Sequence, residues 1–351
     1  MPTLTLTGLD SKTRPGDLFI PLEDGKLICT ACGHRCVLKP GQRGVCKIRY
    51  NLDGQLRVPF NYTAGVACDP IEKKPFFHVL PGTDAMSFGM LGCDFRCAYC
   101  QNWFTSQTLR DDKATQNYRP TTAREIVDIA VRHGSQTVVS TYNEPLITSE
   151  WAVEVFKLAR ERGLVTGYVS NGHGTPEVLE YVKPWLDLFK IDLKCYDDKK
   201  YKLLGGNFHE VLDTIRHVHQ MGFWTEIVTL VIPNYNDSDA ELNSIAEFIA
   251  SVSVDIPWHV TAFHPDYKMN DNGATPVETL ERARAFGLGA GLKYVYSGNR
   301  PGQVGDSENT FCPQCGKTLI ERYGFRVRAN QLADGACPDC GTAIPGVWTG
   351  R

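Results

Sequence analysis

Between Thr121 and Asn299, short runs rich in β-branched and apolar residues alternate with helix-start signals, and this alternation restricts the fold more than any other feature of the chain. A repeated strand, helix, strand order calls for a parallel sheet with helices packed on it, because parallel neighbours can be joined only by a crossover. Ser87 to Leu91, Gln136 to Thr141, Val165 to Ser170, Leu186 to Lys194, Phe223 to Ile232, Trp258 to Phe263 and Lys293 to Ser297 read as strands. Capping boxes are expected at Thr122 with Glu125, at Ser238 with Glu241, and at Thr275 with Glu278, the last with Pro276 at the first helical position. Six or seven βα units suit a partial (β/α)6 TIM-like barrel better than a closed barrel of eight. No GxGxxG follows the first strand, which argues against a dinucleotide-binding domain.

Outside this α/β region the chain changes character. Residues 1–85 and 303–351 are rich in Gly, Pro and Cys with few periodic runs, so each reads as a small metal-stapled appendage on a central barrel at 86–302. A formal net charge of -3 gives no sign of nucleic-acid steering. The start, "MPTLTLTGLDSKTRPG", lacks the basic and apolar parts of a secretory signal, and nowhere do about 18 apolar residues run together. A cytoplasmic protein with no membrane and no nucleic-acid partner is expected.

Thirteen cysteines are many for a reducing compartment, so their spacing has to say what they do. Cys93, Cys97 and Cys100 form C-x3-C-x2-C just after the first strand, with no fourth Cys or His nearby. A structural zinc takes four protein ligands, and so does a fully capped cubane cluster. Three thiolates on a four-iron cluster leave one iron open, and an open metal position is where chemistry happens. Cys312, Cys315, Cys337 and Cys340 form C-x2-C-x21-C-x2-C, a zinc-ribbon-like spacing. Cys29, Cys32, Cys36 and Cys46 form C-x2-C-x3-C-x9-C, which suits zinc or an auxiliary iron-sulfur cluster, with His34 as an alternative ligand. Cys195 reads as packing, and Cys68 as a loop residue.

The C-x3-C-x2-C loop, with Tyr99 at the aromatic position, resembles the signature of radical S-adenosylmethionine (radical SAM) enzymes. "DPIEKKPFFHVLPG", "CQNWFTSQ", "TYNEP", "FHPDYKM" and "YVYSGN" are similar to successive blocks of one branch, the radical SAM component of the AmmeMemoRadiSam system, itself similar to pyruvate formate-lyase activating enzyme. The resemblance covers nearly the whole chain. Asp94 is a departure, standing where Asn is more often found; it lies outside the ligand set.

In "FKIDLK" the charges Lys190, Asp192 and Lys194 alternate with Ile191 and Leu193, so period two puts all three on one face, toward the barrel interior. Buried there, they need a ligand or one another. The resemblance implies that Asp192 and Lys194 contribute to SAM binding. It also implies that Glu144 holds the SAM ammonium, that Asn171 sits at a ribose-contacting position and that His264 lies on the adenine side. Asn143 replaces a glycine of related enzymes, so its own role stays open. The cofactors implied are a 4Fe-4S cluster and SAM, with zinc at the C-terminal set. Such clusters span about -700 to +450 mV, and SAM reduction calls for the low end, which implies a flavodoxin or ferredoxin donor. The Amme and Memo components are implied partners. Three functions follow as alternatives: a radical SAM enzyme on an unnamed substrate, an activase of a glycyl radical enzyme, or a non-catalytic zinc scaffold.

Overall fold

The computed structural model describes residues 6–351. Met1 to Thr5, part of the stretch read above as lacking a secretory signal, lie outside the described residues.

One eight-stranded sheet carries the molecule. Its strands are β1 (Gly65–Pro70), β2 (Asp84–Gly89), β3 (Thr137–Ser140), β4 (Val165–Ser170), β5 (Leu188–Asp192), β6 (Trp224–Val231), β7 (Trp258–Ala262) and β8 (Val295–Gly298), and they lie side by side in chain order. β2 to β8 are all parallel, each joined to the next by a helical crossover, while β1 adds antiparallel to the edge of β2. Adding every strand to the same side makes a sheet that curls around one interior, the partial barrel expected from the alternation. The barrel sheet already begins at Gly65, ahead of the expected boundary at residue 85, and Cys68 lies on β1 rather than in a loop.

Local signals hold where nothing distant competes. Thr122 and Glu125 form the reciprocal capping box at the start of α1 (Ala123–Arg132). Ser238 caps α2 (Asp239–Val252), but the Glu241 carboxylate turns away to the Tyr196 amide at 3.0 Å. The box at Thr275 does not form, because its hydroxyl donates to Val231 O and accepts from Phe263 N. The last helix, α3 (Val277–Gly289), starts after Pro276 without a side-chain cap.

The connection from β1 to β2 is the feature that sequence reading did not anticipate. Ile71, Phe76, Val79 and Leu80 enter the barrel and pack on Val139, Val165 and Leu188, apolar residues that would otherwise face an empty lumen. The buried Glu226 carboxylate of β6 accepts the amides of Phe77 at 3.0 Å and His78 at 2.9 Å, together with Trp224 Nε1. This segment is therefore a plug fastened by backbone hydrogen bonds to a barrel side chain. The C-terminal part holds it from outside: Arg322 donates to Phe77 O at 2.6 Å, and Val347 exchanges hydrogen bonds with His78 O and Leu80 N.

Both cysteine-rich appendages are small antiparallel units. Phe19–Pro21, Leu27–Cys29 and Val37–Leu38 form one three-stranded sheet beside the N-terminal quartet; Thr310–Phe311, Thr318–Tyr323 and Arg326–Asn330 form another beside the C-terminal quartet. Among the described residues no helix is long and apolar enough to cross a membrane.

Candidate active site

With the plug filling one end, the barrel keeps a cavity of about 430 Å3 at the other. This is the end where the C-termini of the parallel strands deliver their side chains, the usual place for chemistry in such a fold. Cys97 and Cys100 reach the cavity from the loop after β2, beside Tyr99, Gln101 and Asn102. Lys190, Asp192 and Lys194 enter from β5 and its exit, as the alternation of "FKIDLK" required, with His259 and Thr261 of β7 and Tyr296 of β8 opposite. The plug contributes Glu72, Lys73, Lys74 and Phe77, and Phe325 arrives from the C-terminal hairpin.

Asp192 pairs with Lys190 and, at 3.2 Å, with Lys194. Burial pushes the Asp192 carboxyl up, but the two lysines outweigh it and hold it below its ordinary value. Burial drives the Cys97 thiol up to about 12 even with Lys194 pulling it down. A thiolate at this position needs a closer positive charge than a lysine supplies, and a metal centre provides one. Tyr99, Ser297 and Glu72 are among the lining residues, though the Tyr99 hydroxyl, Ser297 Oγ and Glu72 Oε2 are themselves buried away from the open space and have no hydrogen-bond partner. Cys97 and Cys100 stand at the cavity beside the charged row of Lys190, Asp192 and Lys194, a donor set that fits a cluster and a polar cosubstrate.

Not every expected residue reaches the cavity. Glu144 is buried behind it, accepting from Leu146 N at 3.0 Å, Ser170 Oγ at 2.7 Å and Asn171 N at 2.7 Å. Burial, then the charge of Asp94, raise its carboxyl to about 8. Asn143 ties β2 to β3 by accepting from Met90 N, and Asn171 donates to Asp94 Oδ1 at 2.8 Å. Cys93 is not among the residues lining the cavity, and its sulfur accepts from Phe95 N. His264 is exposed beside the loop, with Nδ1 3.1 Å from Gln101 Nε2. Cys195 faces away from the cavity, buried at the helical side.

Asp94 is the residue whose weight sequence reading missed. Fully buried, its carboxylate meets Asn171 Nδ2 and His173 Nδ1, the latter at 2.9 Å, and shares a group with Cys32 in which all ligand atoms lie within 4.8 Å. No spacing rule could find it, since its partners come from distant parts of the chain. Lys74, the second lysine of "DPIEKKPFFHVLPG", is buried at the cavity wall and donates to Asp69 at 2.9 Å. The C-terminal cysteines are brought together, all four sulfurs within 4.8 Å of one another.

The pattern of the Radical SAM superfamily matches residues 89–244, from the end of β2 into α2. The uncharacterized protein MJ0808 of Methanocaldococcus jannaschii is 39% identical over 335 residues, covering 94% of this chain and 98% of its own length. The pyruvate formate-lyase-activating enzyme of Clostridium pasteurianum is 25% identical over 224 residues, covering 59% of this chain and 90% of its own. A domain of pyruvate-formate lyase-activating enzyme from Bacteroides vulgatus ATCC 8482 has a TM-score of 0.42 at 20% identity, over 47% of this chain and 100% of that one. A cysteine loop at the mouth of a plugged partial barrel, together with a relative matched along almost its whole length, makes the chain a member of the Radical SAM superfamily.

Proposed function

We propose that Cys93, Cys97 and Cys100 hold a 4Fe-4S cluster, that SAM binds in the adjoining cavity, and that the chain is an enzyme drawing a hydrogen atom from a substrate still to be named. When bound, the cluster and SAM supply reductive cleavage of the sulfonium to methionine and a 5'-deoxyadenosyl radical. The observation that carries this reading is the meeting of Cys97, Cys100 and the Lys190, Asp192, Lys194 row around one cavity.

The chain's own work is to bind, orient and exclude water. Lys194 stands ready to face a carboxylate from the cosubstrate, with Asp192 fixing the lysine's position. Glu144, Asn171 and Asn143 support the wall from behind, and His264 with Gln101 borders the mouth. The plug closes the lower end of the barrel, which keeps solvent from a reactive radical. Zinc at Cys312, Cys315, Cys337 and Cys340 would serve structure alone. Thirteen cysteines without a disulfide fit a reducing compartment, and we place the protein in the cytoplasm, with a flavodoxin or ferredoxin as electron donor. The motif blocks quoted above support a place in the AmmeMemoRadiSam system, with the Amme and Memo components as partners.

The test is anaerobic reconstitution with iron, sulfide, a strong reductant and SAM. Wild type is expected to form 5'-deoxyadenosine, and Cys97→Ala none; a wild type that binds iron but never yields the nucleoside overturns the reading. The similarity to activating enzymes favours a second reading, hydrogen abstraction from a glycine of a partner enzyme. A stable glycyl radical in the electron paramagnetic resonance spectrum of a partner would select it. Deuterium transferred into 5'-deoxyadenosine from a labelled small molecule would exclude it. The zinc scaffold finds no support in family membership.

A further inference from the structure

The N-terminal quartet is built unlike the C-terminal one. In the C-terminal set Cys312 and Cys340 lie 3.5 Å apart, and Cys315 and Cys337 3.6 Å apart. Those are close to the edge of a tetrahedron with zinc-sulfur bonds of about 2.3 Å. Among the described residues, no three sulfurs of Cys29, Cys32, Cys36 and Cys46 gather within 4.8 Å of one another, and neither do those of Cys93, Cys97 and Cys100. Thiolates on a single ion must crowd together, whereas thiolates on the separate irons of a cubane stand apart. The quartet is nonetheless one pocket. A Cβ on Gly44 would stand 3.6 Å from Cys36 Sγ and 3.8 Å from Cys46 Sγ, and the buried Arg49 donates Nε to Cys29 Sγ at 3.2 Å. Hydrogen bonds to cluster sulfurs are a known means of tuning potential.

The quartet also backs directly onto the barrel's cysteine loop. Gly92 has φ +89, and a Cβ there would come within 3.0 Å of Cys46 O. Arg110 clamps the two loops, donating to Cys93 O at 2.6 Å, to Phe95 O at 2.7 Å and to Val45 O. Asp94, next in sequence to Cys93, joins the group with Cys32 and His173, and His34 approaches its carbonyl at 3.3 Å. None of the quartet lines the reaction cavity. A metal there cannot bind the substrate, yet it lies against the cluster loop.

On its other side the quartet meets solvent. Cys36 is half-buried between Val37 and Val45, which are 54% and 44% exposed. Residues 26–50 contain Lys26, Arg35, Lys39, Arg43, Lys47 and Arg49 and no Asp or Glu, in a chain whose net charge is -3. Lys26, Arg35, Arg43 and Arg49 pair with acids from outside this segment, which leaves the exposed Lys39 and Lys47 without an ion pair among the described residues.

We propose that Cys29, Cys32, Cys36 and Cys46 hold a second iron-sulfur cluster through which single electrons reach the barrel loop, and that a small acidic one-electron carrier docks on the basic face around Cys36. The proposal rests on the radical SAM reading above. The electrons balance simply: the reduced carrier loses one electron, the quartet's cluster gains it, and the same electron moves on to the barrel centre. No bond or proton changes at the quartet.

The test uses the full chain, reconstituted anaerobically as wild type, as Cys32→Ala/Cys36→Ala and as Cys97→Ala. Each variant is expected to keep about half of the wild-type iron, with zinc content unchanged. A Cys32→Ala/Cys36→Ala protein that loses zinc and keeps all its iron overturns the proposal. After reduction with dithionite, the wild-type paramagnetic resonance signal is expected to be broadened by a neighbouring spin and to narrow in either variant; a wild-type signal already free of coupling overturns the relay. Because removing cysteines can disturb folding, the surface variant Lys39→Glu/Lys47→Glu provides an independent arm. Its ratio of flavodoxin-supported to dithionite-supported 5'-deoxyadenosine formation is expected to fall about tenfold at low salt and to recover as salt screens the charges. An unchanged ratio overturns the docking face. Failure of the radical SAM reading has a separate signature, since Cys97→Ala would then lose no iron while the quartet variant still reports on its own site.

Discussion

The two four-cysteine sites keep their sulfurs in opposite surroundings. At the C-terminal end Cys315 and Cys340 are exposed, and each half of the site is a local turn: Gly316 N donates to Cys312 O and Gly341 N to Cys337 O, at 3.0 and 2.9 Å. The N-terminal site buries Cys29, Cys32 and Cys46 and surrounds them with side chains from far along the chain, among them Arg49 with Glu150, Asp94 and His173. A site that only staples a fold can be made from neighbours and left open to water. One that exchanges electrons with a reaction centre has to be set against that centre, and its ligands then depend on distant partners.

The most damaging way to probe this contrast is at the tight site. Cys312→Ser/Cys337→Ser would remove the zinc proposed there, and structural zinc contributes on the order of 10 kcal/mol to the folding of small segments. Amide protection across Thr310–Asn330 should disappear in hydrogen exchange while the protein's iron remains; loss of iron as well would break the separation between the sites. Arg49→Met should cost about 3–5 kcal/mol, because it strands the Glu150 carboxylate, which is as buried as Arg49 itself. Urea unfolding measures that cost, and Arg49→Met/Glu150→Leu should recover most of the stability without recovering full iron content.

A smaller effect comes from pH. Burial and then Asp94 raise Glu144 from an ordinary 4.5 to about 8, so its neutral form belongs to the folded state. The stability this group confers is complete below pH 4.5 and is lost as pH rises through about 8. In protein without cofactors, protection factors in β3 and β4, which remove the intrinsic rise of exchange with pH, should fall over that range and become flat in Glu144→Gln, while those of the C-terminal hairpin stay flat in both. Least of all, Lys317→Ala removes a surface pair with Asp339 at 2.9 Å and should leave the melting temperature unchanged. A clear drop would mean that the exposed site depends on side chains after all.

What could be read in the sequence was what neighbours decide. β4 was legible end to end, and the inward row of Lys190, Asp192 and Lys194 followed from a period of two. The Thr122 box formed because both its partners lie within one turn. Thr275 offered the same pattern, but Val231 and Phe263 claimed its hydroxyl, and those contacts exist only once β6 and β7 are side by side. β1 escaped notice because Cys68, Asp69 and Pro70 read as a loop, and only the free edge of β2 makes a strand of them. Glu144 also takes hydrogen bonds from Ser170 and Asn171, which no local pattern around "TYNEP" announces. Asp94 looked incidental for the same reason: its meaning lies in Cys32, Asn171 and His173, none of them near it in the chain.

The plug is stitched to Val347, so residues made late in synthesis secure a segment made early. Until those residues are made, Glu226 and the apolar lining of the barrel hold the plug alone, and the last stretch of synthesis adds the Arg322 and Val347 fastenings from outside.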